Sequence, residues 1–165
     1  MRDRFVTLAC ALGALALFIV LFVEPERGVG PRADVPRPTT EESGGNGYRA
    51  AYATIYDRND YAAAIDQLKA LGHDDNAAVA NLIGYSYRKL GDYKVSQIWY
   101  ERALKADPDH VKTWQYYGLW QVEQGNRDQA QYHLSRLAAL VGTDSEEYRS
   151  LAAALEKPPG TGLVY

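Results

Sequence analysis

Residues 77–110 read "AAVANLIGYSYRKLGDYKVSQIWYERALKADPDH", and residues 111–144 read "VKTWQYYGLWQVEQGNRDQAQYHLSRLAALVGTD". Set one above the other, Gly84 falls on Gly118, Gly91 on Gly125, Ala80 on Trp114, Ile83 on Tyr117, Ser96 on Ala130 and Tyr100 on Leu134. Each pair is 34 residues apart. Self-similarity at a fixed period of this size marks a stack of supersecondary units rather than a single irregular domain. Within each unit, two apolar-periodic stretches flank a short turn, Gly91-Asp92 in one and Gly125-Asn126 in the other. Glycine suits the left-handed end of one helix, and Asp or Asn caps the start of the next. Each unit is therefore expected to be a helical hairpin.

The pattern resembles the tetratricopeptide repeat. That family alternates large and small residues so that two helices pack closely. The unit at 77–110 has Ile83-Gly84, Tyr87, Gly91-Asp92-Tyr93, Ser96, Tyr100, Ala103-Leu104 and Asp107-Pro108 at the signature positions. The unit at 111–144 keeps Trp114, Tyr117-Gly118, Gly125-Asn126, Ala130 and Leu134, with Gln121 and Gly142 where a tyrosine and a proline would stand. A degenerate unit at about 45–76 has Tyr48, Ala51, Ile55, Asn59-Asp60-Tyr61, Ala64-Ile65, Leu68 and Leu71. There Tyr52 occupies the glycine position, so the two helices of this first hairpin are expected to sit further apart.

Stacked hairpins bury faces that one hairpin cannot, and the last needs a cap with a polar outer side. Residues 145–156 supply one. Ser145 can cap the helix start, Glu146 and Glu147 favour its first turn, and Tyr148, Leu151, Ala152 and Leu155 form an apolar stripe. The expected fold is all-α: an α-solenoid of three helical hairpins over 48–144 with a C-terminal capping helix. Residues 157–165 are read as a disordered tail, because Pro158-Pro159 stops the helix.

Ahead of the repeats the composition changes. Residues 5–23, "FVTLACALGALALFIVLFV", carry no charge. Nineteen helical residues span about 28 Å, close to the hydrocarbon thickness of a bilayer. Arg2 and Arg4 precede the run, and no small-residue cleavage site follows it. A transmembrane anchor at 1–23 is expected, with the N-terminus cytoplasmic and the repeats exported, in a bacterium to the periplasm. The alternative is a secretory signal that is removed, leaving a soluble periplasmic protein that binds peptide or cell-wall fragments. Residues 24–47 contain Pro25, Pro31, Pro36 and Pro38 and then "ESGGNG", with no apolar period. They read as a disordered tether.

The remaining composition narrows the function. With 18 basic and 21 acidic residues the net charge is −3, which argues against a nucleic-acid partner. The one cysteine, Cys10, lies inside the apolar run, so no intrachain disulfide or cysteine metal site can form. His73, His110 and His133 are scattered, and no zincin, nucleophile-elbow or phosphate-loop pattern occurs. No enzymatic activity, cofactor or metal is therefore expected. Trp114 is expected in the core and Trp120 between helices, while Trp99 is expected in the core or at its rim.

The resemblance implies instead a protein or peptide partner. It would be held in a groove lined by the first helix of each hairpin, at Arg49, Ala53 and Tyr56, then Asn81, Tyr85, Arg88 and Lys89, then Lys112, Gln115, Leu119 and Glu123. Arg49, Arg88 and Lys112 are expected to be available to an acidic group of the partner. Such small anchored repeat proteins resemble scaffolds and accessory or assembly factors of envelope complexes.

Overall fold

The structure is a computed structural model that describes residues 40–158. The expected membrane span at 5–23, most of the tether and residues 159–165 lie outside the described residues. Among the described residues there are seven helices: α1 Thr40–Tyr56, α2 Tyr61–Ala70, α3 Ala77–Lys89, α4 Tyr93–Ala106, α5 Val111–Glu123, α6 Arg127–Val141 and α7 Glu146–Glu156. No helix among them is long and apolar enough to cross a membrane.

The hairpins α1/α2, α3/α4 and α5/α6 follow one another, and α7 lies against both α5 and α6. Contacts run from α1 to α3, α3 to α5 and α5 to α7, so the odd-numbered helices form one continuous layer. The turn chemistry is largely as the sequence predicts. Gly91 and Gly125 have φ of 83° and 77°. Asn59, at φ 54°, does the same work in the first hairpin. The side chains of Asp60 and Asp92 each accept a hydrogen bond from the amide three residues on, at 3.1 and 3.2 Å. Asn126 departs from the expectation. It makes no side-chain cap, and its amide donates to Gln121 Oε1 at 3.0 Å instead. Gln121 is thus satisfied where the family pattern has a tyrosine.

Close packing inside each hairpin depends on a bare backbone. A Cβ at Gly84 would lie 2.9 Å from Tyr100 Cδ1 and 3.3 Å from the Ser96 carbonyl oxygen. Ser96 Oγ donates to the Gly84 carbonyl at 2.8 Å, and Tyr100 is fully buried beside it. A Cβ at Gly118 would meet Leu151 Cδ2 at 2.5 Å and His133 Cβ at 3.1 Å. That glycine accommodates α6 and the capping helix together.

The two helices of the first hairpin, with a tyrosine at the glycine position, meet less extensively than those of the other hairpins. Tyr52 is 48 % exposed and does not enter the α1/α2 contact. Small residues elsewhere on α1 do so: Ala51 is fully buried, and a Cβ at Gly47 would collide with Leu71 Cδ2 at the end of α2. This explains a difference at the N-terminal boundary. α1 begins at Thr40, so residues 40–47 belong to a helix and not to the tether. "ESGGNG" has poor intrinsic helix propensity. Docking of Gly47 against Leu71 at the end of α2 overrides that local preference.

Two larger cores alternate with the hairpins. One gathers Ile55, Leu68, Val79, Leu82, Ile83 and Trp99. The other gathers Trp114, Leu119, Leu134, Leu137, Leu151 and Ala154. The three tryptophans are all buried. Trp114 Nε1 donates to the Pro108 carbonyl at 2.7 Å, and Trp120 packs on Tyr117. The cap forms as expected. Ser145 Oγ accepts from the Tyr148 amide at 3.2 Å, and Leu151 is fully buried, with Ala154 joining it more deeply than Tyr148, Ala152 or Leu155.

His133 sits in this second core, 3 % exposed, edge-on to Trp114 and Tyr117 with ring centroids 4.9 Å away in each case. Burial lowers its pKa to about 4 from the ordinary 6.5, although its Nδ1 lies 3.2 Å from the Trp114 carbonyl. The native state therefore holds a neutral imidazole. Below pH 6.5 the unfolded chain takes up a proton that the folded chain refuses until about pH 4, so this group weakens the fold as pH falls through that window. The loss reaches about 3 kcal/mol. Urea midpoints of wild type and His133→Leu measured from pH 7.5 to 4 will show a steeper acid loss in the wild type; parallel curves would refute the assignment. At the other glycine contact, Gly84→Leu will lower stability by at least about 1–3 kcal/mol. An unchanged melting temperature would show that the α3/α4 contact is not where the structure puts it.

Candidate functional site

The layer formed by α1, α3, α5 and α7 exposes a cavity of about 340 Å³. Six of the residues predicted for the groove line it: Tyr56, Tyr85, Arg88, Lys89, Gln115 and Leu119. They are joined by Ile55, Asn59, Tyr61, Tyr116 and Ser150, the last from α7. The others predicted, Arg49, Ala53, Asn81, Lys112 and Glu123, lie on the same helices outside that lining.

Tyrosine dominates the cavity. Tyr52 packs against Tyr56 with ring centroids 4.3 Å apart, Tyr56 stacks on Tyr85 at 5.8 Å, and Tyr85 meets Tyr116 at 5.1 Å. Tyr61 comes edge-on to Tyr85 at 6.2 Å. The Tyr56 and Tyr116 hydroxyls are 2.8 Å apart, a hydrogen bond joining the first hairpin to the third across Tyr85. Burial raises the Tyr56 pKa, and the hydrogen bond with Tyr116 raises it further. Burial, with the neighbouring phenols of Tyr61 and Tyr116, pushes Tyr85 up to about 12. These phenols stay neutral at any physiological pH. They present ring edges and hydroxyls, which can donate or accept, and no charge.

Tyr116 was not among the predicted groove residues, although it precedes Tyr117 in the sequence. Its neighbour fills the packing position, and helical phase alone sends Tyr116 toward the flank of α5. The signal that would have found it is long-range: three helices each bring a tyrosine to one point.

The charged residues are less available than expected. Arg88 is 4 % exposed and forks onto Glu123, with Nε to Oε2 at 2.7 Å and Nη2 to Oε1 at 2.8 Å. Its Nη1 also donates to the Tyr116 carbonyl at 3.2 Å. Two residues expected to meet a partner therefore meet each other, tying the end of α3 to the end of α5. Lys112 pairs with Glu147 of the capping helix at 2.9 Å. Burial works against the lysine's charge, but the Glu147 hydrogen bond and charge outweigh it and raise its pKa. The same hydrogen bond lowers that of Glu147. Arg49 is exposed and donates to Asn46. Lys89 is exposed at the cavity edge, with its ammonium 5.9 Å from the Tyr61 ring centre. Asn81 and Gln115 are buried, at 3 % and 6 % exposure, and Asn81 Oδ1 has no hydrogen-bond partner among the described residues.

Among the described residues no three His, Cys, Asp or Glu side chains cluster as a metal site would require.

The buried fork sets a stability prediction. Arg88→Met leaves Glu123 without its partner and will cost about 3–5 kcal/mol, whereas the Arg88→Met/Glu123→Leu double variant will recover most of that loss. Chemical denaturation of the four corners of this cycle measures the difference. Equal losses in the single and double variants would show that the side chains are not coupled.

The family model for the tetratricopeptide repeat matches residues 77–110, the hairpin of α3 and α4. No curated protein matches the chain. Repeats of this kind generally mediate protein–protein interaction and form a non-catalytic scaffold. Seven helices in hairpin order among the described residues, with one tetratricopeptide repeat matched at 77–110, fit a repeat protein of the tetratricopeptide type.

Proposed function

We propose that the chain is an interaction scaffold that holds a segment of a partner protein against the α1–α3–α5 face. The observation that carries this reading is the tyrosine-lined cavity. Tyr56, Tyr85 and Tyr116, one from each hairpin, meet ring to ring on one half-buried surface, with Tyr52 against Tyr56 beside it. Tyrosine supplies large contact area at low conformational cost, and its hydroxyl can meet a peptide backbone group of either sense. The ion pairs Arg88–Glu123 and Lys112–Glu147 are made within the chain, so recognition rests on shape and hydrogen bonding, with Lys89 at the margin.

The setting proposed for this scaffold is a bacterial inner membrane. Residues 5–23 would anchor it, the repeats would lie in the periplasm, and it would serve as an accessory or assembly factor of an envelope complex. The uncharged run, the preceding Arg2 and Arg4 and the missing cleavage site support this. Carbonate washing of membranes with N-terminal sequencing tests it: a protein that washes off and begins after residue 23 would overturn the anchor.

A photo-crosslinking amino acid in place of Tyr85 will capture the partner in cells, and the same probe in place of Ile98, exposed on α4, will not. Adducts formed only from position 98 would move the binding surface to the other layer.

A further inference from the structure

We propose that the partner segment held in the tyrosine-lined cavity is rich in proline and lies there as a polyproline II helix. This rests on the reading of that cavity as the partner site and adds the chemistry of what it takes.

The cavity has used its carbonyl and carboxylate acceptors and kept its hydrogens. Asn59 Oδ1 accepts from the Tyr61 hydroxyl at 3.0 Å. Gln115 Oε1 faces the Lys112 ammonium at 3.5 Å, and the Tyr116 carbonyl accepts from Arg88 Nη1 at 3.2 Å. Both Glu123 oxygens are held by the same Arg88. The donors are placed differently. The Tyr85 hydroxyl, the Lys89 ammonium and the side-chain amide nitrogens of Asn59 and Gln115 make no hydrogen bond among the described residues. In the Tyr56–Tyr116 pair one hydroxyl donates to the other, which leaves one O–H to spare.

A ligand that fits is therefore rich in acceptors and poor in donors. A proline-rich segment has that property, because each proline brings a carbonyl and no N–H. An ordinary extended segment brings an N–H for every carbonyl, and those hydrogens would meet acceptors already engaged. A helical segment spends its carbonyls on itself and would bury the cavity's donors against apolar side chains, each at the cost of an unmade bond. An acidic segment meets a central guanidinium already neutralised by Glu123.

Shape agrees with this count. Tyr61 stands edge-on to Tyr85 at 6.2 Å with the rings 78° apart, which makes an aromatic corner of the kind that holds proline rings. Two residues of a polyproline II helix advance about 6 Å. The steps from Tyr56 to Tyr85 to Tyr116 are 5.8 and 5.1 Å, so alternate residues of the segment meet successive rings. Such a helix has no internal hydrogen bonds, and its fixed φ leaves little entropy to lose on docking.

The test titrates the full chain in detergent micelles into fluorescein-labelled decaproline amide and follows anisotropy. A Gly-Ser decamer and an alanine-based helical peptide with the same label run beside it. Decaproline is expected to bind at least about tenfold tighter than either, as two or more net hydrogen bonds would give. Tyr85→Phe keeps the ring, removes one donor and will weaken decaproline about fivefold without moving the melting curve. Ile98→Ser on the other layer will leave the affinity unchanged. Equal affinities for the three peptides, or tightest binding by the helical one, would overturn the inference. So would a Tyr85→Phe chain that binds decaproline as the wild type does. If decaproline fails to bind while crosslinks from position 85 persist, only this inference falls; if decaproline binds and those crosslinks are absent, the partner reading falls.

Discussion

Everything in this fold depends on two helices meeting where one has no side chain. At Gly84 the neighbouring α4 presents Tyr100 and the Ser96 backbone inside the distance a Cβ would need. The Ser96 hydroxyl closes the gap by donating to the Gly84 carbonyl. Tyr100 is then fully buried, which a wider hairpin would not achieve. Tyr100 in turn stacks on Tyr117 of the next hairpin at 5.4 Å, so the contact inside one unit sets the contact between units. Gly118 repeats the constraint one hairpin later and uses the space for Leu151 of the cap. The stack grows because each bare backbone position lets the next element come close enough to bury its apolar face.

The same geometry decides what the inner face can offer. Arg88 is drawn under the surface and is compensated by a two-pronged carboxylate and a backbone carbonyl. Burying such a pair roughly offsets its own desolvation, so its value lies less in net stability than in fixing how α3 and α5 sit together. One consequence is electrical. The centre of the face is neutral, and Lys89 is left at its edge. A surface of this kind would select by contour and by hydroxyl geometry rather than by attraction of acidic groups.

Legibility in the sequence divided along the range of the interactions. Local features were readable: the glycine turns, the Asp60, Asp92 and Ser145 caps, the close contact at Gly84 and the buried Trp114 each depend on a few adjacent residues and a known period. Features that depend on distant residues were not. The start of α1 at Thr40 hides behind a glycine-rich stretch in which Gly47 packs against the end of α2. Arg88 and Glu123 are 35 residues apart and look like two exposed charges until the hairpins stack. Tyr116 sits where phase predicts a flank, and becomes central only because Tyr56, 60 residues earlier, reaches it. Six of the predicted residues line one cavity, and the pairing of Arg88 with Glu123 was not legible because it forms only when the hairpins stack.

The Tyr56–Tyr116 hydrogen bond gives the inner face a further property. It joins the first hairpin to the third, while Tyr85 of the second is held between the two rings. A segment entering the cavity can exchange that bond for bonds of its own. The net cost of breaking one such neutral pair is about 1 kcal/mol, small against the area the rings offer. Each ring has only two side-chain torsions and is already ordered by its neighbours, so little entropy remains to be lost on binding. The tyrosine contacts thus tie the three hairpins to one another across this face.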